Sequence, residues 1–113
     1  MMMTDEAVEM LCERATEVAA FLKVVANEQR LLLLCRLREG EASVGELVSL
    51  CGLSQSSVSQ HLARLRDGGL VQTRRENTTI FYRIANAKVH SLMAFLCDQF
   101  GQQAGDPATE RAN

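Results

Sequence analysis

The sequence predicts a mostly α-helical domain carrying one β-hairpin, with elements in the order α-α-α-α-β-β-α. Three observations predict it. Val58, Leu62 and Leu65 recur at i, i+4 and i+7, which is the buried stripe of a helix, while the positions between them are mostly Ser, Gln, His and Arg. Residues 70–75 and 78–84 are rich in β-formers and are joined by a short turn at Glu76-Asn77. Aromatic residues make up 4% of a chain that is 47% hydrophobic, and the single proline is Pro107. That composition suits long helices packed through Leu, Val, Ala and Met.

The chain of 113 residues suits one domain with a modest core. Residues 1–4 are expected to be disordered, residues 5–101 to fold, and residues 102–113 to form a small, polar, flexible tail. From 5 to 25 the pattern is helical, with Ala7, Met10, Leu11, Ala15, Val18, Ala19, Leu22 and Val25 on one broad apolar face. That face suits either a dimer surface or packing on its own domain. Asn27 can cap a second helix over 28–38, which is apolar on almost every side and therefore expected to be central. Ser43 with Glu46 three residues later forms a capping box for a short helix over 44–50. A turn at Cys51-Gly52 follows, then a helix capped by Ser54 that runs to about Asp67 and stops at Gly68-Gly69. After the hairpin, Asn86 or Ala87 opens a last helix to about residue 101, with Val89, Leu92, Met93, Leu96 and Phe100 on one face.

Charge distribution narrows the function classes. The formal net charge is −2, yet residues 54–83 hold Arg64, Arg66, Arg74, Arg75 and Arg83 against only Asp67 and Glu76. A basic segment in an otherwise acidic chain is the footprint of a polyanion partner. All five cations are Arg, whose planar fork suits phosphate better than the Lys point charge does. The N-terminal Met1-Met2-Met3-Thr4-Asp5-Glu6 lacks the basic start and apolar core of a signal peptide, and no apolar run reaches membrane-span length. The expected location is the cytoplasm, with no membrane contact and with Cys12, Cys35, Cys51 and Cys97 reduced at rest. Their spacing contains no CxxC pair, which argues against a zinc ribbon. With two His, no paired nucleophile and base, and no phosphate-cradling glycine loop, the chain is not expected to be an enzyme or to need a cofactor.

The short helix, the turn and the Ser54-capped helix form a helix-turn-helix, and the hairpin behind them is a wing. An α-helix fits the DNA major groove, where its N-terminal residues reach base edges. Gln55, Ser56, Ser59 and Gln60 are placed for base contact, and His61 and Arg64 for bases or phosphates. Ser54 and Ser57 suit phosphate contact or capping, and Arg74, Arg75, Thr78 and Thr79 lie near the wing tip, where backbone or minor-groove contact is natural. A winged helix serving only as a protein adaptor would present an apolar or acidic face instead.

Ser43-Val44-Gly45-Glu46-Leu47, the run from Leu53 to Leu62, Gly69-Leu70-Val71-Gln72-Thr73-Arg74-Arg75-Glu76 and Ile80-Phe81-Tyr82 resemble the ArsR/SmtB family of dimeric bacterial repressors. The resemblance spans roughly residues 8–101. Ala26-Asn27-Glu28-Gln29-Arg30-Leu31 and Leu34-Cys35-Arg36-Leu37 further resemble its HlyU/BigR/SqrR/NolR branch. The resemblance implies a homodimer through the first and last helices, a palindromic operator in double-stranded DNA, and repression by promoter occlusion.

It also implies how an inducer would be read. Arsenic- and cadmium-sensing members carry cysteines on the short helix, but here that stretch is Gly45-Glu46-Leu47-Val48-Ser49-Leu50, with none before Cys51. The zinc site on the last helix needs Asp, His and Glu in a pattern that Asn86, Lys88, His90 and Asp98 do not supply, so no metal site is expected. Sulfur-sensing members pair a cysteine on the second helix with one on the last. Cys35 matches the first, but Gly101 stands at the second, with Cys97 four residues earlier. Four residues are one turn, about 5.4 Å along the axis and on nearly the same face. A direct disulfide wants Cα atoms within about 7 Å, whereas a polysulfide bridge tolerates more. Two readings stand: Cys35 and Cys97 as a displaced dithiol switch for a reactive sulfur or oxidant inducer, or both as core residues, as in NolR-like members that also carry Gly there. Cys12 is a third candidate thiol, and Cys51 is expected to be a small core residue.

Overall fold

The computed structural model describes residues 6–101, so the expectations for 1–4 and 102–113 lie outside the described residues. The elements are α1 (Glu6–Glu13), α2 (Ala15–Val25), α3 (Glu28–Arg38), β1 (Ala42–Ser43), α4 (Val44–Cys51), α5 (Gln55–Asp67), β2 (Val71–Glu76), β3 (Thr79–Ile84) and α6 (Ala87–Phe100).

The expected single helix over 5–25 is two helices. At Arg14 the backbone leaves helical geometry (φ −106°, ψ 19°), and its N–H is shared between the carbonyls of Met10 and Leu11, each 3.1 Å away. The Arg14 guanidinium then forks onto Glu17 at 3.0 and 2.7 Å, and helical bonding resumes with Val18 N–H to the Arg14 carbonyl at 2.9 Å. The apolar period runs unbroken through this point, so the pattern does not reveal a break at one residue's dihedrals. No residue of α1 is buried, and Val8, Met10 and Leu11 stay exposed.

Helix α3 lies at the centre, as expected, with Leu33, Leu34 and Leu37 fully buried. It is not covered on every side, because Leu31 and Leu32 remain over a third exposed. Asn27 Oδ1 accepts the Arg30 N–H at 3.0 Å and caps its start. The Ser43–Glu46 capping box closes in both directions, at 3.2 and 2.8 Å. Helix α4 ends on Gly52, whose φ of 69° is the left-handed conformation that a glycine adopts without strain. That sharp exit redirects the chain into α5.

The hairpin is part of a three-stranded antiparallel sheet in the order β1-β3-β2. The added strand pairs Ala42 with Tyr82 and Ser43 with Phe81. Two residues carry no alternation, which is why β1 escapes a periodicity reading. The turn falls at Asn77-Thr78 rather than Glu76-Asn77: Glu76 pairs with Thr79, and Asn77 takes φ 59°, which Asn tolerates better than most residues. Asn86 is the cap of α6, accepting the Val89 N–H at 3.1 Å. Val89 and Met93 are buried and Leu92 and Leu96 partly so, but Phe100 is 63% exposed and leaves the buried face.

Val58, Leu62 and Leu65 of α5 are fully buried in one cluster with Leu33, Leu34, Leu37, Leu47, Leu70, Val89 and Met93. Truncating the central one removes its transfer energy and leaves a cavity. Leu62→Ala is expected to lower unfolding free energy by about 2–5 kcal/mol in urea denaturation, with the m-value little changed.

Candidate DNA-binding surface

Helix α5 has two faces because its sequence has two. The stripe Val58–Leu62–Leu65 turns inward, which forces Gln55, Ser56, Ser59, Gln60 and Arg64 outward, and all five are exposed. Ser54 sits just before the helix and its Oγ accepts the Ser57 N–H at 3.1 Å, so this hydroxyl is used as a cap. Ser57 is half-buried and its Oγ accepts from Ser54 Oγ at 3.2 Å. His61 is also half-buried, with Nδ1 3.4 Å from the Arg30 guanidinium of α3. The exposed face therefore gathers Gln55, Ser56, Ser59, Gln60 and Arg64, while Ser54, Ser57 and His61 lie at its edge, tied into the protein.

The wing residues divide by strand alternation. Neighbouring side chains on β2 point to opposite faces, so Arg74 and Arg75 do not act as a unit. Arg75 and Thr78 are exposed near the turn, and Thr79 is half-buried. Arg74 crosses β3: it stands 4.6 Å over the Phe81 ring and forks onto Glu41, just before β1, at 2.7 and 2.8 Å. Its remaining nitrogen donates to Glu76 at 3.0 Å. Arg74, expected near the wing tip for backbone or minor-groove contact, has its charge facing two carboxylates. Sequence reading missed Glu41, whose partner is 33 residues away and across a strand that pattern alone does not reveal.

The cysteines differ in setting. Cys12 on α1 is exposed, and all four are unbridged thiols. Cys51 packs against the core, where burial pushes its thiol up from its ordinary value. Cys35 on α3 and Cys97 on α6 come together, since these two helices pack against each other. Burial first, and the adjacent Cys97 thiol second, hold the Cys35 thiol above its ordinary value, with Arg38 opposing them. A Cβ placed on Gly101 would stand 3.9 Å from the Cys97 Cβ, so the two positions share one patch of α6. Among the described residues no cluster of His, Cys, Asp and Glu could hold a metal ion, and no helix is long and apolar enough to cross a membrane.

A short helix, a glycine turn, a second helix with a Ser/Gln/Arg outer face and a hairpin beside it define a winged helix-turn-helix regulator of transcription. Residues 27–73 match the model of the arsR family of bacterial regulatory proteins. The transcriptional activator HlyU of Vibrio cholerae is 46% identical over 84 residues, covering 74% of this chain and 78% of that protein. The biofilm growth-associated repressor of Xylella fastidiosa is 46% identical over 101 residues, covering 86% of each. The structure of reduced HlyU from Vibrio cholerae superposes with a TM-score of 0.77 at 42% identity, over 81% of this chain and 97% of that one. A homodimeric winged helix-turn-helix DNA-binding domain from Mycobacterium bovis superposes with a TM-score of 0.71 at 32% identity, over 90% and 91%. The chain belongs to the arsR family of bacterial transcriptional regulators.

The Arg74 fork holds the Glu41 carboxyl below the usual carboxylate range, chiefly through the hydrogen bond. A carboxyl with a lowered folded value adds stability above its unfolded value, and that stability is lost as pH falls through the folded one. Carbon-detected NMR titration should find Glu41 titrating below an ordinary Glu, and returning to the ordinary range in Arg74→Met.

Proposed function

We propose that this protein is a homodimeric, sequence-specific DNA-binding repressor that occludes a palindromic operator and is released when Cys35 and Cys97 are joined by an oxidant or a reactive sulfur species. The observation that carries the DNA reading is the exposed Gln55–Ser56–Ser59–Gln60–Arg64 face over a fully buried stripe. Gln and Ser hydrogen-bond base edges, and Arg bonds guanine or phosphate in a fork. Such a face would enter the major groove with its N-terminal residues toward the bases, while Arg75, Thr78 and Thr79 follow the backbone beside it. Two-fold symmetry would place two copies of α5 about one DNA turn apart.

Dimerisation is supported by apolar surface that the single chain leaves open. Val8, Met10 and Leu11 on α1, Leu22 on α2, and Phe95 and Phe100 on α6 are all exposed. The expected interface on the first and last helices uses these side chains. The homodimeric state named for the Mycobacterium bovis domain supports the same assembly.

The switch rests on the meeting of Cys35 and Cys97 across α3 and α6. Oxidation would take two electrons and two protons from the pair and join the sulfurs, with the oxidant accepting both. Two equivalents of a persulfide donor would instead convert both thiols to persulfides, each releasing the donor's thiol, and the two persulfides would condense to a trisulfide bridge with loss of hydrogen sulfide. Either link would tie the central helix to α6 and so reset the spacing of the two reading helices. A second reading, in which both thiols only fill the core, is favoured by the packing of Cys35 against the buried cluster. In that reading the regulator responds to something other than thiol chemistry.

Gln60→Ala and Arg64→Ala are each expected to weaken operator binding by about 1–3 kcal/mol in a gel-shift titration after random-site selection. Wild-type affinity in both would move the reading surface off α5. Diamide or a persulfide donor is expected to lower operator affinity, with an intact-mass change corresponding to one intramolecular bridge. Cys35→Ser should remove both effects, and an unchanged response in that variant would leave the core-filling reading.

A further inference from the structure

Arg30 is the one buried charged side chain among the described residues, at 8% exposure. No carboxylate pairs with it: the ion pairs of the described residues involve Arg14 and Arg74 only. A desolvated cation without a counter-charge is costly unless its donors are satisfied. Its Nε donates to the Val24 carbonyl at 2.6 Å, and one terminal nitrogen reaches the Lys23 carbonyl at 3.5 Å. Both belong to the last turn of α2, where carbonyls lack helical partners and the helix dipole is negative. The other terminal nitrogen stands 3.4 Å from His61 Nδ1 on α5. Helix α2 also packs directly against α5, and its Val24 lies beside Gly68, the residue that ends α5. One guanidinium on α3 thus meets the end of α2 and the middle of α5.

The chemistry of that contact fixes a proton. Guanidinium has donors and no acceptor, so a bond to Nδ1 requires the lone pair there. The neutral ring must then carry its hydrogen on Nε2. We propose that Arg30 is the positioning residue of the recognition helix: it ties the α2 terminus to His61, sets the rotation of α5 at its midpoint, and holds His61 as an Nε2–H donor at the edge of the DNA-reading face. This rests on the reading of α5 as the DNA-contacting helix. Leu62 and its neighbours fix the depth and the overall facing of α5. A directional polar contact beside the stripe adds to it and fixes the orientation of the His61 ring.

Two measurements test it. In wild-type protein at alkaline pH, long-range proton–nitrogen NMR of the neutral His61 ring should show the hydrogen on Nε2. In Arg30→Met it should spread over both nitrogens; an unchanged tautomer in Arg30→Met overturns the assignment. Because a buried arginine can be needed for folding, His61 is varied as well, with circular dichroism confirming the fold. Gln can accept from Arg30 and still donate outward, so His61→Gln should keep operator affinity within about twofold. His61→Leu fills similar space but can do neither, and should lose about tenfold, the order of one good hydrogen bond. Wild-type affinity in His61→Leu overturns the proposal. Gln60→Ala, run in parallel, separates the two ideas. If it weakens binding while His61→Leu does not, only the positioning role fails. If neither weakens binding, the reading surface is also elsewhere.

Discussion

Burial of Val58, Leu62 and Leu65 is the contact on which the rest of the structure depends. Each aliphatic side chain taken out of water contributes about 1.5–3 kcal/mol, so this stripe is a sizeable share of a small domain's stability. The same helix presents the Gln/Ser/Arg face. Stability and the proposed recognition are therefore not separable along α5, because the depth of the leucines sets the height of the glutamines. The surrounding elements serve this one placement. Helix α4 and its Gly52 exit aim the helix, α3 floors it, and Leu70 with Val71 closes its far end before the wing begins.

Arginine is used here in three distinct ways. Arg64 is left exposed on the outer face of α5, Arg74 is occupied by carboxylates over an aromatic ring, and Arg30 is buried against carbonyls and an imidazole. Only the first is free to meet a polyanion without giving up a partner. The second stiffens the wing by linking β2 to the chain before β1 across the intervening strand. A count of basic residues over 54–83 therefore overstates the charge immediately available to DNA.

Much of this was legible in the residues themselves. Capping signals at Asn27, Ser43, Ser54 and Asn86 marked helix starts to within a residue, because each cap is a local hydrogen bond encoded in a few adjacent positions. Helix α5 followed from the period of Val58, Leu62 and Leu65. What escaped was either too short or too distant to have a period. The break at Arg14 lies in one residue's dihedrals. Strand β1 is two residues long and exists only because β3 offers it an edge. The Glu41–Arg74 and Arg30–His61 contacts join residues more than thirty positions apart, and nothing local marks them. The nearness of Cys35 and Cys97 was visible only through the family pattern and one-turn arithmetic on α6.

Helix α1 has eight residues, no buried side chain and a bend separating it from α2. A helix that short gains too little from its own hydrogen bonds to persist in water. Its order therefore depends on packing, against α2 within the chain and, in the proposed homodimer, against a second copy. Covering the exposed Met10 and Leu11 in that assembly would add to the free energy that holds it. In the proposed homodimer the helicity of this segment would then rise with protein concentration, so the N-terminal turns would act as a built-in gauge of how crowded the chain is by its own kind.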